Sequence, residues 1–178
     1  MKAFFLLLPL LIINACNTAK TTTGSSPANE TGLTENSTPS CPEGGTCTVE
    51  VLQNKQLVLK EDGIGALYPE ITNGDNLVVV YTFFQKGPAG TVDGNYTETI
   101  HFEIPATLNE LYKKDASLQD VTLLYEKQCY CKGEAGFYKV KNGTLQLTKT
   151  NGELHFNLQF TVDETSHKLS NISRAIQL

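Results

Sequence analysis

Four cysteines stand in two close pairs, Cys41 with Cys47 and Cys129 with Cys131, and their spacing bears on three chemistries. Thiolates can hold a metal, but zinc sites favour a Cys-x-x-Cys spacing that neither pair has. Thiols can also exchange electrons, but a Cys-x-Cys pair lacks the helix N-terminus that lowers a thiol pKa in redox motifs. Structural disulfides are the expected use, with metal binding and redox exchange as rivals. Cys129 and Cys131 read as the end of a strand, with α-carbons ~6.5 Å apart, and a bridge between them would close a strained small ring. The expectation is therefore cross-bridging, in which Cys41 and Cys47 each pair with one of Cys129 and Cys131. Each such bridge would close a loop of more than 80 residues. In the entropic account that stabilises by ~4 kcal/mol, less for the second bridge.

Three histidines could do acid–base work. His101 and His155 fall on the polar faces of alternating segments and His167 in a Ser/Thr-rich connection. Solvated side chains are the expectation, although His101 and His155 could meet across adjacent strands. The sequence has no Gly-x-Ser-x-Gly elbow, Walker loop, dinucleotide-binding glycine fingerprint or His-Glu-x-x-His. Acidic loops at Glu61-Asp62-Gly63, Asn73-Gly74-Asp75-Asn76 and Asp93-Gly94-Asn95 suit turns. Counted from Asp93, Glu98 and Ile104 occupy the places where an EF-hand needs Gly and Glu. No catalytic residue, metal ligand or cofactor is assigned. With no tryptophan, an aromatic platform for carbohydrate would have to come from the seven tyrosines.

The elements that must position these groups are strands. Leu154 to Val162 alternates strictly, with Leu154, Phe156, Leu158, Phe160 and Val162 on one face. Thr144 to Lys149 precedes it across Thr150-Asn151-Gly152, a hairpin signal. Phe137 to Val140 reaches Lys141-Asn142-Gly143, which predicts a second hairpin and an antiparallel meander. Thr97 to Ile104 alternates as well, and the apolar run Leu77 to Phe84 predicts a strand covered on both faces or central in a barrel. Shorter candidates are Thr46 to Leu52, Gln56 to Lys60, Val121 to Lys127 and Ile172 to Gln177. Thr107 to Lys114 places Leu108, Leu111 and Tyr112 at helical spacing, and reads equally as a short helix or an irregular crossover. The expected fold is all-β: a small antiparallel barrel or sandwich of about nine strands over residues 41–178. A barrel could hold a small apolar ligand among Phe83, Phe102, Phe156 and Phe160, whereas close packing of those rings would favour protein contacts.

Charge and the N-terminus set the compartment. The formal net charge is −5, and loss of Lys2 with a leader would make it more negative, which argues against nucleic-acid binding. Lys2 precedes an apolar run from Ala3 to Ile13, then Asn14-Ala15-Cys16, the build of a secretory signal over residues 1–15. The run is too short to span a hydrocarbon core. Residues 17–40 are mostly Thr, Ser, Asn, Gly, Pro and Glu and predict a disordered tether with a span of ~27 Å.

The ending Ile13-Asn14-Ala15-Cys16 resembles the lipobox of bacterial lipoproteins. That resemblance implies lipidation at Cys16, which leaves an even four cysteines for the domain. The lipobox, the tether, Cys41-Pro-Glu-Gly-Gly-Thr-Cys47 and Cys129-Tyr130-Cys131-Lys132-Gly133 together resemble small β-rich envelope lipoproteins of Bacteroidota. The resemblance implies a lipid-anchored envelope protein, and the functional expectation for its domain is a non-enzymatic binding or interaction module. It would sit at the outer membrane, facing the periplasm, since Asn17-Thr18-Ala19-Lys20 lacks the acidic residues associated with surface export. An apolar ligand or an envelope protein is its expected partner, and an envelope hydrolase or redox enzyme is the alternative.

Overall fold

The computed structural model describes residues 41–178; the expected signal peptide, Cys16 and the tether lie outside the described residues. Nine strands occur among the described residues: β1 (Thr46–Glu61), β2 (Leu67–Gln85), β3 (Tyr96–Pro105), β4 (Glu110–Lys114), β5 (Leu124–Gln128), β6 (Gly136–Lys139), β7 (Asn142–Thr150), β8 (Glu153–Thr161) and β9 (Asn171–Gln177). They form two antiparallel sheets, one ordered β1-β2-β3-β5-β6 and the other β4-β7-β8-β9. The architecture is a sandwich, not a closed barrel.

Period-two alternation explains the core. Leu77, Val79, Tyr81 and Phe83 of β2 and Ile100, Phe102 and Ile104 of β3 meet Leu145, Leu147, Leu154, Phe156, Leu158, Phe160 and Ile172 of the second sheet. Phe102 and Phe156 touch edge to face with centroids 5.4 Å apart. Phe83, Phe102, Phe156 and Phe160 thus all belong to the packed filling of the layer between the sheets, not to the lining of a barrel mouth.

The unbroken apolar run in β2 has a second cause. At Asn54, with φ of 56°, the β1–β2 pairing slips, and the far half of the hairpin folds across the outer side of its own sheet. There Leu57 packs with Val78 and Leu124, flanked by Leu52, Leu59 and Val80. β2 also touches β6, three strands away in sheet order, which the folded-back half alone can reach. Glu103 pins the bend by accepting hydrogen bonds from Leu57 N (2.9 Å) and Asn76 Nδ2 (3.1 Å). The predicted cover on both faces of Leu77–Phe84 is therefore supplied by the chain itself.

Several boundaries differ from expectation. The segments 46–52 and 56–60 are one strand, and Asn73-Gly74 is an irregularity inside β2, not a loop. Within the 107–114 segment Glu110–Lys114 forms β4 after a turn at Thr107, paired to β7 with Leu111 opposite Leu147, because an edge with open backbone groups overrides a weak helical spacing. Among the described residues the one short helix is a 3-10 segment at Asp115–Val121. β6 and β7 form no hairpin, since the chain changes sheets between them; the β7–β8 hairpin stands as predicted.

The disulfides are local: Cys41 with Cys47 (Cα–Cα 5.7 Å) and Cys129 with Cys131 (5.2 Å). Strand order explains why cross-bridging fails. Cys47 on β1 is separated from the end of β5 by β2 and β3, a gap of roughly 14 Å at the usual strand spacing, twice what a disulfide can span. β5 also ends at Gln128, so Cys129 enters a bend that draws its α-carbon toward that of Cys131. Loops this short stabilise by at most about 2 kcal/mol each. Urea unfolding with and without reductant is expected to show a loss of that size per bridge; a loss near 4 kcal/mol per bridge would signal long-range pairing instead.

Candidate functional site

Two polar constellations stand out, one internal and one on the surface. The internal one begins with a register pair on the inward faces of β3 and β5, Glu98 opposite Lys127, at one end of the layer between the sheets. Both are buried, Lys127 with 2% exposure. The loop before β9 closes over them. Glu98 accepts from the backbone N–H groups of Lys168 (2.6 Å) and Leu169 (2.7 Å) and from the Tyr96 hydroxyl. Lys127 Nζ donates to Glu134 Oε2 (2.5 Å), Ser166 O (2.7 Å) and Ser166 Oγ (2.9 Å), and lies 5.6 Å from the Tyr96 ring centroid. The Lys127 ammonium, aided by Ser166, holds the Glu134 carboxyl down at about 2. Burial pushes the Tyr96 and Tyr125 hydroxyls upward, and neighbouring Glu98 adds to both shifts. Lys127 uses its three protons and Glu98 both its oxygens on the protein itself, so the cluster works as a clamp.

The histidines divide. His155 meets the expectation, 42% exposed and paired with Glu153 at 3.0 Å on an open strand face. His167 uses both ring nitrogens internally: Nδ1 donates to Leu169 O (2.6 Å) and Nε2 accepts from Val162 N (3.2 Å), with the ring stacked on Phe160. His101 departs from expectation. It is 7% exposed, its Nδ1 has no partner, and burial pulls it down to about 4. Its side of the strand is polar in sequence, but it lies between Val80 and Leu124 in register, next to the patch covered by the folded-back hairpin. His101 and His155 stand on different sheets and do not meet.

The surface constellation is the outward face of the second sheet. Register places Lys114, Thr144, Gln159 and Asn171 in one row across β4, β7, β8 and β9, and Tyr112, Gln146, Asn157 and Ser173 in the next. An open hollow of about 440 Å³ lies at the first row, bounded also by Asp115, Asn142 and Thr161. Gly143 lets β7 and β8 close tightly there: its φ is 143°, and a Cβ would stand 2.1 Å from Gln159 O. Asp115 Oδ1 accepts from Gly143 N at 3.1 Å and ties the end of β4 to the same point. Tyr112 is 63% exposed on this face.

Among the described residues no group of three or more His, Cys, Asp or Glu is placed to hold a metal. The four domain cysteines are paired with one another, and Tyr130 stands 94% exposed between Cys129 and Cys131. Neither constellation was singled out from the sequence. Tyr125 and Lys127 share the inward face of β5 at period two, a signal that could have placed the lysine inside. The Gln/Thr/Asn alternation of β7 and β8 was visible, but the register that aligns it with Lys114 and Asn171 was not. No protein-family model, no curated protein and no solved structure matches the chain.

Proposed function

We propose that this protein is a lipid-anchored, non-enzymatic binding module of the bacterial cell envelope, held through Cys16 at the outer membrane and facing the periplasm. It meets its ligand with the outward face of the second sheet. The observation that carries this reading is the row Lys114, Thr144, Gln159 and Asn171 around an open hollow. The side chains of Thr144, Gln159 and Asn171 make no hydrogen bond to another described residue, so their polar groups remain available to a ligand. Lys127, Glu98 and His167 are instead engaged within the fold, which favours support over turnover.

Two readouts test it. Growth with an alkyne fatty acid is expected to label the wild-type chain and not the Cys16→Ser variant. The unlipidated mature chain is expected to bind washed envelopes saturably, with about tenfold weaker binding in a Gln159→Ala/Asn171→Ala double variant, the loss of roughly one hydrogen bond's worth of affinity. Labelling of both chains, or envelope binding that ignores the double variant, would contradict the reading.

A further inference from the structure

We infer that the outward face of the second sheet binds a neutral oligosaccharide chain, with the hollow at Thr144, Gln159 and Asn171 seating one sugar unit. This rests on the binding-module reading and names its ligand class. Amide and hydroxyl groups offer donor and acceptor together, as a sugar hydroxyl does, so each Gln159, Asn171 or Thr144 side chain can bond a polyol twice. Lys114 and Asp115 bring one positive and one negative charge to the hollow, which leaves no net charge to select a phosphate or an ammonium.

Geometry points the same way. The row crosses adjacent strands at a spacing of ~4.8 Å, close to the length of one pyranose unit, so successive strands can address successive sugars. In the next row Tyr112 presents an exposed ring on which the C–H face of a sugar can lie. The polar groups ride on paired strands locked by the Gly143 contact, so little backbone order has to be gained on binding. A protein partner fits less well. Apart from Tyr112 and His155, which pairs with Glu153, this face carries Thr, Gln, Asn, Ser and Ala between charged ends, without the cluster of large apolar side chains that forms the centre of a protein interface.

The test titrates the mature chain with neutral tetrasaccharides, β-1,4-linked glucose, β-1,4-linked N-acetylglucosamine, α-1,4-linked glucose and α-linked mannose, beside a short acidic and a short basic peptide. Saturable binding of at least one tetrasaccharide in the micromolar to millimolar range is expected, and of neither peptide. Tyr112→Ala and Gln159→Leu should each weaken it about tenfold with the unfolding midpoint unchanged. Absence of binding by all four sugars, preference for a peptide, or binding that both variants retain would overturn the inference. If washed envelopes still bind through Gln159 and Asn171 while the sugars fail, the ligand class is wrong and the binding-module reading survives.

Discussion

The Glu98→Ala variant is expected to lose about 4 kcal/mol of folding free energy, the largest effect of any polar substitution in this domain. The carboxylate is fully buried and receives three donors, two of them backbone N–H groups of the loop that precedes β9. Removing it takes the acceptor from both N–H groups, the buried Leu169 N–H at a cost of about 1–3 kcal/mol and the part-buried Lys168 N–H at less, and strips the Tyr96 hydroxyl of its partner. Water can reach Lys168, but Leu169 is buried, so loop movement cannot repair both bonds without exposing core. Glu98→Gln should cost less, because one oxygen still accepts while the new NH2 opposes the remaining donor. Urea unfolding gives the check: a midpoint shift below that of a 1 kcal/mol change for Glu98→Ala would mean that the loop is held by other contacts.

The second large effect is a loss of stability between pH 6.5 and 4 that originates at His101. In the folded protein burial lowers this imidazole to about 4, while the unfolded chain takes up its proton near 6.5. Over that window the unfolded state binds more protons, so stability must fall as pH falls and level off below 4. Two and a half pH units correspond to about 3 kcal/mol. The charged groups on the same outer side are Glu50, Glu103, Glu126 and Lys139. Burial raises Glu126, so its contribution grows as pH falls and offsets part of the loss. Glu134, held at about 2 by Lys127, contributes stability that is lost lower still, as pH drops from about 4.5 toward 2. His101→Leu removes both the titration and the unpartnered Nδ1, so it should be at least as stable as wild type at pH 7 and should hold or gain stability from pH 6.5 to 4.5, where Glu126 takes up its proton. A wild-type-like slope in that variant would place the acid sensitivity elsewhere.

What the sequence made legible was whatever depends on local alternation. The inward face of β8 from Leu154 to Phe160, the β7–β8 hairpin and the β-sandwich alternative all follow from period two and turn chemistry at Asn151-Gly152. What it hid depends on strand order and on a bend. Cross-bridging of the cysteines looked favourable because nothing local places β2 and β3 between β1 and β5. His101 looked solvated because its cover comes from a hairpin that turns back at Asn54, which reads as one more polar residue in a polar stretch. The polar row at the hollow is assembled from four strands scattered between residues 110 and 177, and only register aligns them.

The central claim is that ligand is met on the outward face of the second sheet. Its most direct test is a residue-resolved NMR footprint of the isotope-labelled mature chain titrated with solubilised envelope material. Amide shifts clustered on Lys114, Thr144, Gln159 and Asn171, extending to Tyr112, are the predicted result. Shifts confined to the folded-back hairpin and the outer side of the first sheet, or none at saturating envelope material, would contradict it.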